Sequence, residues 1–87
     1  MNKEDMVNKI KSFVIKSLKE RLPGISEQDI EADNELVETY MMNSIEMVMI
    51  IVECEINFDM EFADEDLVYD NVKTINIIAD YIISYKE

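Results

Sequence analysis

The sequence predicts an all-α fold: a small four-helix bundle with three long helices and one short one. The chain has 87 residues but only one glycine and one proline, so it lacks the turn residues that several short strands would need. Apolar residues recur instead at spacings of three and four, which is the period of an amphipathic helix. The length allows one small hydrophobic core, and we expect residues 1–87 to form a single domain.

The first long helix is predicted from about Glu4 to Leu22, where Pro23 and Gly24 end it. Its core face comprises Met6, Ile10, Phe13, Val14, Ser17 and Leu18. A long loop, residues 25–43, then leads to the second helix, and a structureless loop of this length is unusual in a compact domain. We expect scattered apolar residues to hold this loop against the helices: Ile25, Ile30, Leu36, Val37 and Tyr40.

The second long helix is predicted to begin at Asn43 or Ser44. Asparagine is a favoured N-cap residue, and Glu46 three positions later completes a pair of the capping-box type. The predicted core face comprises Ile50, Ile51 and Cys54, and Phe58 closes the end of the helix. Between Ile45 and Ile56 the apolar residues extend most of the way round, so a second apolar face remains to be covered.

The short helix is predicted to start at Asp64-Glu65-Asp66, because acidic side chains favour a helix N-terminus. The last long helix is predicted to start near Lys73 and Thr74. Its core face comprises Ile75, Ile78, Ala79 and Ile82, with Tyr81 as a further candidate. The longest unbroken apolar run, Met47–Val52, is far too short to span a bilayer, so no membrane insertion is expected.

Charge is distributed unevenly along a chain whose formal net charge is −12. Residues 1–21 carry six basic and three acidic side chains, whereas residues 22–87 carry two lysines and seventeen acids. Such a surface repels nucleic acid and anionic lipid and attracts basic patches on proteins, although the charge has an equally simple interpretation as a solubilising surface. The single cysteine and an N-terminus unlike a signal peptide predict a cytoplasmic location.

Several kinds of catalytic and metal site lack their necessary residues. The chain has no histidine, which argues against histidine-based catalysis. It also has no glycine-rich loop of the kind that binds phosphate groups. Cys54 falls in the apolar phase of its helix, so we expect a buried residue rather than a working thiol. The acids between Asp59 and Asp66 lack the spacing and the central glycine of a calcium loop, and no metal site is expected.

Ser44 allows two interpretations. Serine is a preferred capping residue, and most serines at such a position have no further role. Alternatively, the hydroxyl is a point of attachment, because a phosphodiester placed there would face free N–H groups and the positive end of the helix dipole. The second interpretation needs no base on this chain if a separate enzyme supplies one.

The sequence resembles the acyl carrier protein family over nearly its whole length. The family's D-S-L signature appears as Asn43-Ser44-Ile45, followed by Glu46. Three further elements follow in order, namely Phe58 at the end of the helix, the turn Glu61-Phe62-Ala63-Asp64 and the helix start Thr74-Ile75. A serine followed by isoleucine carries no weight alone, but this ordered set at fitting spacings is specific.

The resemblance implies that Ser44 receives a 4′-phosphopantetheine arm from coenzyme A. A separate phosphopantetheinyl transferase would attach the arm. The arm would then carry acyl or aminoacyl groups as thioesters to enzymes of fatty-acid, polyketide or related biosynthesis. The chain itself would not be an enzyme.

The resemblance also implies that partner enzymes with basic and apolar docking patches grip the second long helix. The residues expected to meet partners are Asn43, Ile45, Glu46, Val48, Met49, Val52, Glu55 and Phe62. Many family members shelter acyl chains between their helices. We expect a monomer, and the alternative explanation of the second apolar face is a homodimer seam.

Four positions depart from the usual family pattern. Asn43 replaces the usual aspartate, Met41 stands where glycine is common, and Met49 and Ile56 occupy positions often held by glutamate. These changes predict a specialised, discrete carrier with dedicated partners. The competing hypothesis is an unmodified acidic helical adaptor that covers a basic surface on another protein and uses Ser44 only as a cap.

Overall fold

The computed structural model describes residues 1–87 and contains five α-helices and no strand. The helices are α1 (Lys3–Leu18), α2 (Leu36–Tyr40), α3 (Ser44–Phe58), α4 (Tyr69–Val72) and α5 (Ile75–Lys86), and 3₁₀ turns lie at Glu27–Asp29 and Asp64–Asp66. The predicted all-α bundle with three long helices is confirmed. Two short α-helices are present rather than one.

Helix α1 begins beside an N-cap and ends earlier than predicted. The Asn2 side chain accepts the N–H of Asp5 at 2.8 Å. The α-helix ends at Leu18 rather than Leu22, and the chain continues in a turn in which the Arg21 and Leu22 N–H groups both donate to the Leu18 carbonyl. Arg21 therefore lies outside the α-helix, in the turn that precedes Pro23.

The long connection is held against the helices, as predicted. Ile30, Leu36 and Tyr40 are buried, and Ile25 and Val37 pack partly against the core. Backbone bonds join the connection to the start of α5: Leu36 N–H donates to the Lys73 carbonyl at 2.8 Å, and Asn76 N–H donates to the Ala32 carbonyl at 3.1 Å. Tertiary contacts thus replace the unstructured loop with a turn and a short helix.

Helix α3 buries one face, and its rotation differs slightly from the prediction. Ile50, Cys54 and Phe58 are buried as expected. Ile51 is only half-buried, and Met47 takes the remaining core position. Because this helix is apolar on most sides, sequence periodicity could not fix the rotation to better than one residue.

The segment between α3 and α5 is tied down by Tyr81. Its hydroxyl donates to the Asp66 carboxylate at 2.8 Å and accepts the Ala63 N–H at 3.2 Å, and its ring stacks on Phe62. The short helix is predicted to start at Asp64-Glu65-Asp66, but these residues form a 3₁₀ turn, and the α-helical turn begins later, at Tyr69–Val72. Tyr81 itself is half-buried.

The core lies where α1 packs against both α3 and α5. Thr74 caps α5 by accepting the N–H of Ile77 at 3.1 Å, and the four predicted aliphatic residues of α5 are fully buried: Ile75, Ile78, Ala79 and Ile82. None of the helices combines the length and the apolar character that a membrane crossing requires.

Candidate functional site

Ser44 is the first residue of α3 and is exposed. The helix is capped by the residues on either side of Ser44, Asn43 and Glu46, which form a complete capping box. The Asn43 side chain accepts the Glu46 N–H at 2.8 Å, and the Glu46 carboxylate accepts the Asn43 N–H at 3.0 Å. The capping role is therefore filled by Asn43, and the Ser44 hydroxyl is left on the surface beside the positive end of a fifteen-residue helix.

The backbone before Ser44 makes a sharp change of direction. Met41 adopts a left-handed conformation with φ of 56°, which is uncommon for a residue other than glycine. Met42 turns inward and is buried, whereas Asn43 and Ser44 are exposed. Met41 stands at a position where a glycine would be unstrained, so the turn is maintained by the contacts around it.

The strongest of these contacts joins Arg21 to Glu46. The Arg21 Nη2 lies 2.9 Å from Oε1 of Glu46, and its Nε lies 3.1 Å from Oε2. The same Nη2 donates to the Tyr40 carbonyl at 3.1 Å, and the Ser17 hydroxyl donates to the Glu46 carbonyl at 3.2 Å. Hydrogen bonds from Arg21 hold the pKa of Glu46 below its ordinary value, and the same pair raises the pKa of Arg21.

The outer side of α3 carries an apolar stripe. It consists of five exposed residues, Ile45, Val48, Met49, Val52 and Ile56, and successive turns of the helix contribute them at positions 45, 48/49, 52 and 56. Ile45 and Ile56, at its two ends, are each 73% exposed. A continuous apolar surface of this kind on a small protein is typical of an interaction site.

Five of the eight residues expected to meet partners are exposed around this surface: Asn43, Ile45, Val48, Met49 and Val52. The other three are placed differently. Glu46 is only 9% exposed because it faces Arg21, and Phe62 is 5% exposed because it stacks on Tyr81. Glu55 is half-buried and accepts the Phe62 N–H at 3.0 Å, so it ties down the loop after α3. The positions of Glu46 and Phe62 do not fit direct contact with a partner.

Arg21 was not identified from the sequence as part of the site. Two signals point to it once the geometry is known. Ser17 is a polar residue on the predicted apolar face of α1, Arg21 follows it by four residues in the turn after the helix, and both reach Glu46. Arg21 is also the last basic residue before a segment, residues 22–72, that contains none.

The clefts of the protein do not open into its aliphatic centre. One of about 400 Å³ lies beside Ser44 between α1 and α3, and its lining includes Lys16, Glu20 and Met49. A larger one, of about 580 Å³, lies at the opposite end of α3, beside Phe58. Neither is lined by the fully buried residues, so an acyl chain would have to part the helices to enter the core.

Cys54 is buried, as predicted, with no exposed surface. Burial, together with the neighbouring charges of Glu53 and Glu55, raises the pKa of its thiol to about 12. The chain therefore offers no reactive thiol of its own, and a thioester would need a thiol from a bound group.

A family model described as the phosphopantetheine attachment site matches residues 14–82, well over half of the chain. The chain belongs to this family. It is a carrier protein and not an enzyme, and its cofactor is a covalently attached 4′-phosphopantetheine. Membership also implies interaction with a phosphopantetheinyl transferase and with biosynthetic enzymes. An exposed hydroxyl at the start of a long helix fits the requirements of such an attachment.

Proposed function

We propose that Ser44 is the attachment residue and that the chain is an acyl carrier protein. The observation that carries the proposal is that Asn43, and not Ser44, caps α3, which leaves an exposed hydroxyl at the N-terminus of the helix. Of the other four serines, Ser12 and Ser84 lie within long helices. The Ser17 hydroxyl donates a hydrogen bond to the Glu46 carbonyl, and Ser26 precedes a three-residue turn. None of them offers the same setting.

In the proposed attachment, the Ser44 oxygen attacks the pyrophosphate of coenzyme A and displaces adenosine 3′,5′-bisphosphate. The transferase supplies the base that takes the hydroxyl proton, because this chain has no histidine and Glu46 is already paired with Arg21. The phosphodiester anion would be stabilised by the unpaired N–H groups of the first turn of α3 and by its helix dipole. When attached, the arm supplies the thiol that forms thioesters.

We propose further that the cargo is an acyl or aminoacyl group used in fatty-acid, polyketide or related biosynthesis. The partner surface would be the apolar stripe together with Asn43 and Ser44, rather than an acidic face. The fifteen acids and the absence of bases in residues 22–72 favour partners with basic as well as apolar docking patches. We propose that residues 1–87 form one carrier domain that is monomeric and cytoplasmic.

The test is intact-mass analysis of the apo protein after incubation with coenzyme A, magnesium and a broad-specificity transferase. The wild type should gain the mass of one phosphopantetheinyl group. Ser44→Ala should gain nothing while its far-ultraviolet CD spectrum stays unchanged, because Asn43 still caps the helix. Ser84→Ala, which alters an exposed serine on α5, is the matched control and should be labelled as the wild type is.

Labelling of the Ser44→Ala variant would refute the assignment of the attachment residue. If the wild type takes up no label, the competing interpretation as an unmodified acidic adaptor stands.

A further inference from the structure

Arg21 connects three segments that surround the attachment residue. It lies three residues beyond the end of α1, and its guanidinium bonds both the carbonyl of Tyr40, at the end of α2, and the carboxylate of Glu46, in the first turn of α3. Residues 41–44 run between these two anchor points. One side chain from the turn after α1 therefore holds both ends of the turn that presents Ser44.

Glu46 transmits this contact to the start of the helix. Its carboxylate binds the Arg21 fork and at the same time accepts the N–H of Asn43, while its own N–H donates to the Asn43 side chain. A carboxylate with this little exposed surface is costly unless it is paired. Without the guanidinium, Glu46 would have to turn toward water, and the capping box would open with it.

We propose that Arg21 is a positioning residue for the modification of Ser44. It acts through Glu46 and Tyr40, and it fixes the turn of residues 41–44 so that the Ser44 hydroxyl meets the transferase in a single orientation. This inference rests on the proposed function of Ser44. The left-handed Met41 supports it, because a strained turn persists only where surrounding contacts enforce it.

The test compares Arg21→Met with Lys3→Met. Lys3, at the start of α1, pairs with Asp80 of α5, with its Nζ 2.9 Å from Oδ1, and it does not line the cleft beside Ser44. Both variants lose one positive charge and gain the same side chain, so a general effect of net charge on the transferase is the same in both. We expect kcat/KM for phosphopantetheinylation to fall by about ten- to a hundred-fold in Arg21→Met and to stay near wild type in Lys3→Met.

Amide hydrogen exchange separates positioning from general destabilisation. In Arg21→Met the hydrogen-bonded amides of Asn43 and Glu46 should exchange faster, while those of Ile50 and Ile78 in the core keep their wild-type rates at a temperature where both proteins are folded. Arg21→Lys retains the charge but lacks the planar fork, and it should be labelled at an intermediate rate. If Arg21→Met does not fold, Arg21→Lys decides the question by the same two measurements.

Wild-type kcat/KM in the folded Arg21 variants would overturn the proposal, and so would an equal rise of exchange throughout α1, α3 and α5. A wild type that takes up no label would instead refute the role of Ser44. In that case the hydrogen-exchange rates of the Asn43 and Glu46 amides still test whether Arg21 fixes the turn.

Discussion

The buried thiol of Cys54 provides a quantitative test of the core and of the arm's role. In the native protein it has no exposed surface, and burial raises its pKa to about 12. An ordinary cysteine has a pKa of about 8.5, so roughly a quarter of it is thiolate at pH 8, whereas a thiol with a pKa of 12 is only about one part in ten thousand thiolate. Ionisation alone should therefore slow its reaction by roughly a thousand-fold, and steric exclusion should slow it further.

The assay measures reaction with a chromogenic disulfide reagent at pH 8, in buffer and in denaturant. Native apo protein should show essentially no rapid thiol, and unfolded apo protein should show one. Native holo protein should show one rapid thiol, which belongs to the arm, and Cys54→Ala in its holo form should show the same one. Two rapid thiols in the native holo protein would mean that α3 is rotated away from the orientation described here.

The same shift predicts how stability changes at alkaline pH. A folded-state pKa raised above the unfolded value gives stability that is complete below about pH 8.5 and is lost as the pH rises toward 12. The free energy of unfolding should fall by about 1.4 kcal/mol for each pH unit in that interval. Urea titrations of the wild type and Cys54→Ala isolate this contribution, because the two proteins differ only at this residue. Parallel pH profiles would refute the burial of the thiol.

Four further predictions follow from the structure. Asn43→Asp should change the free energy of unfolding by only a few tenths of a kcal/mol, because aspartate caps a helix as well as asparagine does. A broad-specificity transferase should modify this variant several-fold faster than the wild type at low salt. Equal rates at low salt would show that the choice between asparagine and aspartate at this position does not affect the transferase. The melting temperature should rise from low to moderate salt, and further with magnesium at equal ionic strength, because residues 22–72 hold fifteen acids and no base; a temperature indifferent to both would refute this. Ile50→Ala should lose about 2–5 kcal/mol in urea unfolding, whereas Val48→Ala on the apolar stripe should lose less than about 0.5 kcal/mol. The lowered pKa of Glu46 contributes stability that is fully present above the ordinary glutamate pKa of about 4.3. This contribution is lost as the pH falls through the pKa of Glu46 in the folded protein. Arg21→Met should therefore weaken the dependence of the free energy of unfolding on pH in acid.

The long helices could be predicted because their determinants are local. Apolar residues at helical spacing marked α1, α3 and α5, and Asn43 and Thr74 marked two of their starts. Helix α2 could not be predicted in this way. It has only five residues, and its first N–H group donates to the Lys73 carbonyl, a contact between residues far apart in sequence.

The contacts of the site between residues close in sequence could be predicted, whereas the contacts between residues far apart in sequence could not. The capping box of Asn43 and Glu46 follows from residues three apart, and the structure confirms it. The expectation that Glu46 faces partners took no account of Arg21, whose guanidinium lies against it although the two are 25 residues apart in sequence. Similarly, Phe62 turns inward because its stacking partner, Tyr81, belongs to another helix.

The charge distribution explains why the missing contact had to come from outside residues 22–72. Glu46 is the one buried acid among the fifteen in this segment, and the segment contains no cation that could pair with it. A buried carboxylate is stable only when it is paired, so its partner must lie outside the segment. Ser17 is a sequence signal of where that partner lies, because a hydroxyl on an otherwise apolar helix face needs a polar neighbour, and Arg21 is four residues away. The acidic segment that presents Ser44 therefore depends for its local geometry on the basic segment, residues 1–21, that precedes it.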